Sequence, residues 1–66
     1  MREVRRGFIG EKEFTGYVGY LSDQWMASII SVDRRENECY AKSFANETEA
    51  VDGLNELWDE LKNKLG

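Results

Sequence analysis

The chain has no histidine, no proline and a single cysteine in 66 residues. Without histidine, nucleophilic machinery of the serine–histidine type is ruled out, and a zinc site of the usual kind lacks its ligands. With Cys39 alone, no intrachain disulfide can form. No glycine-rich phosphate loop followed by a lysine is present. No apolar run approaches the roughly 20 residues a bilayer-spanning helix needs. Residues 1–9 are interrupted by Arg5, Arg6 and Gly7, unlike the apolar core of a secretory leader. The carboxylate pairs Asp33 with Glu36 and Asp59 with Glu60 sit in polar runs, where solvation leaves them without the burial that tunes a catalytic pKa. These absences lead us to expect a cytoplasmic protein that is not an enzyme, uses no cofactor or metal and does not enter a membrane.

A chain this short forms one domain, residues 1–66, and buries only about 60% of the surface its unfolded form exposes. Small domains recruit disulfides, metals or a second subunit to compensate. The first two are unavailable here, so oligomerisation remains. Cys39 is expected as a small buried hydrophobe rather than a reactive thiol, because free cysteine is among the most buried residue types and no basic residue adjoins it.

Hydrophobic periodicity divides the chain into a sheet over residues 3–45 and a helix over 47–65. Residues 3–9 alternate, with Val4, Arg6 and Phe8 on one face and Arg5, Gly7 and Ile9 on the other, the pattern of an edge strand. A turn over residues 10–13 leads to a strand over 14–21, in which Gly16 and Gly19 mark close approach of other groups. Residues 25–32 are apolar on both faces, which predicts a strand covered on both sides. A polar loop over 33–37 then joins it to a strand over 38–45. In the helix, Val51, Leu54, Trp58, Leu61 and Leu65 recur at spacings of three and four, widened by Ala50 and Leu57. Asn46 with Glu49 forms a capping box. Gly53 breaks helix propensity by about 1 kcal/mol relative to alanine, so it is expected to admit a bulky side chain from the sheet. The fold class is α+β: an antiparallel sheet of three to four strands packed on one face by a single C-terminal helix.

Charge is divided unevenly. After Asn46 there are six carboxylates and two lysines, which accounts for the whole net charge of −4. The acidic face of the helix comprises Glu49, Asp52, Glu56, Asp59 and Glu60. The sheet portion is balanced, and its arginines include the pairs Arg5-Arg6 and Arg34-Arg35. Short charge clusters are usually solvated surface, and overall acidity disfavours non-specific binding to phosphate backbones. A nucleic-acid contact would have to use Arg5, Arg6, Arg34, Arg35 and Lys42, around Tyr17, Tyr20 and Tyr40.

The stretches Tyr17-Val18-Gly19-Tyr20, Trp25-Met26-Ala27-Ser28-Ile29 and Phe44-Ala45-Asn46-Glu47-Thr48-Glu49-Ala50 resemble the DNA-binding domains of the Apetala (ethylene-response-factor) type and the arm-binding domains of phage integrases. Those families carry a threonine where this chain has Asn46, and either residue caps a helix. The resemblance spans about the last fifty residues. It implies a three-stranded sheet whose inner face carries Trp25, Ala27 and Ile29 and whose outer face reads DNA. The corresponding outward residues are Met26, Ser28, Ile30 and Val32, with Val18 or Leu21 on the neighbouring strand. Base and phosphate contacts need hydrogen-bond donors and positive charge, whereas these positions carry mostly methyl groups. We therefore expect an apolar interface of Val18, Leu21, Met26, Ile30 and Val32, unless the first strand or a bend of the sheet covers it. The expectation for function is a small interaction protein, a homodimer that modulates or inhibits a protein partner, of the size and acidity that suit a phage or mobile-element accessory protein. The alternative is a DNA- or RNA-binding regulator that uses the sheet and its arginine pairs.

Overall fold

Two tight turns organise the first three strands. In the computed structural model, which describes residues 1–33 and 38–65, Gly10 has φ 65° at the first position of a two-residue loop between β1 (Arg2–Ile9) and β2 (Lys12–Leu21). That is the geometry of a type II′ hairpin turn, and it lets Lys12 pair with Ile9, so only Gly10 and Glu11 of the expected four-residue turn lie outside the ladder. The second loop, Ser22-Asp23, has φ 53° and 63°, the type I′ pattern, and joins β2 to β3 (Gln24–Ser31). β4 (Cys39–Phe44) completes an antiparallel sheet of order β1-β2-β3-β4. The helix α1 (Glu47–Leu65) then crosses back over one face. The fold is thus α+β, with four strands and one C-terminal helix.

The helix begins where the capping box places it. The Glu49 amide donates to Asn46 Oδ1 at 2.9 Å, and the Glu49 carboxylate accepts from the Ala45 amide at 3.4 Å. Beneath the helix, Phe14 and Val18 of β2, Ala27 and Ile29 of β3, and Ile9 of β1 are buried against Ala50, Leu54, Leu57, Trp58 and Leu61. Each fully buried aliphatic or aromatic side chain contributes about 1.5–3 kcal/mol. Leu65, at the end of the stripe, is exposed.

Two glycines set how closely the layers approach. A Cβ on Gly16 would lie 3.0 Å from Leu54 Cδ2, so this missing side chain seats the middle of the helix on β2. A Cβ on Gly53 would run into the ring of Phe44, which confirms that the helix glycine makes room for a bulky side chain of the sheet.

Several expectations need correction. Val18 is 1% exposed and faces the helix, because it shares parity with Gly16 and Phe14; it is not on the outer face. A bulge between Glu3 and Arg5 takes Val4 out of alternation and packs it partly against the core, away from Arg6 and Phe8. Cys39 is exposed, because the outward positions of edge strand β4 have no layer above them. β3 is covered by the helix on one side only, and Ile30 on its other side is 40% exposed. β1 extends the sheet beside β2 and does not fold across its outer face.

Candidate protein interface on the open sheet face

The antiparallel register assembles the outer face in rows. Opposite Phe8 stands Glu13, whose carbonyl accepts from the Val32 amide at 3.0 Å. The next row runs Arg6, Thr15, Ile30, Cys39, and the one after it Glu3, Tyr17, Ser28, Ala41. Gly19, Met26 and Ser43 follow, and Leu21 with Gln24 closes the face. Met1 lies against Gly19, since a Cβ built there would come within 2.6 Å of Met1 Cγ.

Small side chains occupy the middle of this surface and larger ones its rim. Thr15 and Ser28 are buried between their neighbours, and Tyr17 and Met26 are half-buried. Phe8 is 67% exposed, Leu21 54% and Val32 37%. Four of the five expected interface residues, Leu21, Met26, Ile30 and Val32, therefore share this face, and Val18 does not. Phe8 was missing from the expected set although it is the most exposed large apolar side chain of the described residues. Alternation puts it on one face of the strand with Arg6, but the chain alone does not show that this face is shared with Ile30 and Val32.

Among the described residues, charge on the open face lies toward β1. Arg6 Nε lies 3.6 Å from Glu13 Oε2, and Glu3 is nearby on the same strand. The Arg5-Arg6 pair is split by strand parity. Arg5 lies on the helix side, where its guanidinium stacks 4.3 Å from the Trp58 ring centroid and Nη1 donates to Asn55 Oδ1 at 3.0 Å. Lys42 is exposed on β4, at the opposite edge of the sheet from Arg5 and Arg6. Arg34 and Arg35 lie outside the described residues. The described cations expected to bind nucleic acid are thus not brought together on one surface.

The acidic residues Glu49, Asp52, Glu56, Asp59 and Glu60 are exposed on the helix, which covers the other side of the sheet. Tyr20 and Trp25 meet at a tilt of 57° at the end of the β2–β3 hairpin, with ring centroids 5.5 Å apart. Lys12 and Glu38 form an ion pair at 3.2 Å on the helix side of the sheet, near its other end. No helix among the described residues is long and apolar enough to cross a membrane. No protein-family model matches the chain, and no match was found among curated proteins or solved structures.

Proposed function

We propose that this protein is a non-enzymatic interaction module of the cytoplasm that dimerises through its open sheet face and modulates a protein partner. The observation that carries the reading is the low-charge surface bearing Phe8, Leu21, Ile30 and Val32 beside Tyr17 and Met26. Large apolar side chains exposed together on one face of a small domain mark a contact surface. Its electrostatics fit. The helices carry the net negative charge of the chain, and sheet-to-sheet packing keeps the two helices on opposite outer surfaces.

Sedimentation velocity at micromolar concentration tests this directly. Wild type is expected to sediment as a dimer and Ile30→Glu as a folded monomer; a monomeric wild type would refute the dimer. For nucleic acid, we expect no salt-dependent affinity for duplex or single-stranded oligonucleotides even at low ionic strength, because the described cations do not converge.

A further inference from the structure

The two edges of the sheet differ in how they are defended. β1 carries a bulge and the charged residues Arg2, Glu3, Arg5 and Arg6, devices that discourage pairing with another strand. β4 is regular, and its only charged side chain is Lys42. The Ser31 amide donates to the Glu38 carbonyl at 2.9 Å, and this pair sets the phase of the ladder. Tyr40, Lys42 and Phe44 continue the hydrogen-bonded series opposite Ile29, Ala27 and Trp25. Cys39, Ala41 and Ser43 consequently direct their backbone N–H and C=O groups to the open edge.

Beside that edge, on the helix side, lies a cavity of about 270 Å³ lined by Phe44, Glu49, Asp52, Gly53 and Glu56. Its lining combines the half-buried Phe44 ring and buried Gly53 with three exposed carboxylates. We propose that β4 is a strand-addition site for an extended segment of a partner protein with basic and apolar residues in alternation. A strand added about 4.8 Å beyond β4 sends every second side chain toward the helix. An arginine there lays its stem and guanidinium over Phe44 and meets the carboxylates of Glu49, Asp52 and Glu56. The alternate side chains fall beside Cys39, Ala41 and Ser43, whose small size leaves room for valine or isoleucine. A second copy is the poorer occupant, because β4-to-β4 pairing brings the same three carboxylates of each copy toward one junction.

This inference rests on the reading of the protein as an interaction module, but its main contacts are the backbone edge of β4 and the groove on the helix side, which lie outside the centre of the open face. The probe is an acetylated, amidated heptapeptide of alternating arginine and valine, added to full-length ¹⁵N-labelled protein. Saturable binding is expected, with slowed hydrogen exchange at the amides of Cys39, Ala41 and Ser43. Neutralising the rim with Glu49→Gln, Asp52→Asn and Glu56→Gln should weaken binding about tenfold, the sum of three exposed charge pairs. Ala41→Pro, which removes an outward amide and no ladder bond, should abolish it. Should that variant not fold, the same peptide N-methylated at alternate residues supplies the equivalent test on wild-type protein. Binding that survives N-methylation, protection confined to other amides, or no binding at millimolar peptide would each overturn the proposal. A monomeric wild type in sedimentation would overturn the dimer and leave these outcomes unaffected.

Discussion

Gly53→Ala isolates the contact that joins helix and sheet. In an isolated helix this change is favourable by about 1 kcal/mol, because glycine loses the most backbone freedom on folding. Here the added methyl would overlap the ring of Phe44. If the ring stays, overpacking costs about 1–3 kcal/mol; if it swings out, a half-buried phenylalanine gives up about 1–2 kcal/mol of burial. Either route offsets the propensity gain, and the expected net is a loss of roughly 1 kcal/mol, or about 4–8 °C in Tm for a domain of this size. Thermal and urea unfolding followed by circular dichroism measure it. The informative comparison is the Phe44→Ala background, where the obstruction is gone and Gly53→Ala should raise stability by about 1 kcal/mol. The cycle then yields a coupling near 2 kcal/mol between residues nine apart in sequence. A single Gly53→Ala variant that melts higher than wild type would refute the reasoning.

Asp23→Gly should stabilise the protein by about 1 kcal/mol, because residue 23 holds φ 63° in a type I′ turn where glycine carries no Cβ penalty; an unchanged or lower urea midpoint would count against the turn assignment. Arg5→Ala should cost about 1–1.5 kcal/mol through the lost Trp58 stacking and Asn55 bond, whereas Arg6→Ala should stay within about 0.5 kcal/mol. Equal effects of the two substitutions on Tm would show that strand parity does not separate their roles.

The helix was readable throughout because three independent signals coincide there: period, cap and dipole-matched charge. Gly53 was readable for the opposite reason, as the one position where local preference is violated, and the violation located a contact with Phe44. The sheet was harder, and β2 shows why. Tyr17 and Leu21 share one parity, Val18 and Tyr20 the other, so apolar content does not tell the inner face from the outer. The Arg5-Arg6 pair looked uniform because neighbouring residues of one type still point to opposite sides of a strand. Cys39 was misplaced by judging residue type without edge position, and Val4 by assuming unbroken alternation through a bulge.

Residues without side chains assign the faces better than apolar ones do. Gly16 admits Leu54 and Gly53 admits Phe44, so the two glycines mark where helix and sheet touch. Once Gly16 is placed inward, Phe14 and Val18 follow it by parity, and the register carries the assignment to Ala27 and Ile29. Tyr17 and Leu21 are thereby turned outward together with Met26 and Ile30. The open face is therefore defined by the same backbone alternation that builds the core, and its apolar character is a property the packing of the helix does not require. Neither Ile30 nor Phe8 belongs to the buried core, so the packing of the helix leaves their identity free, and the proposed dimer is the contact that would use them.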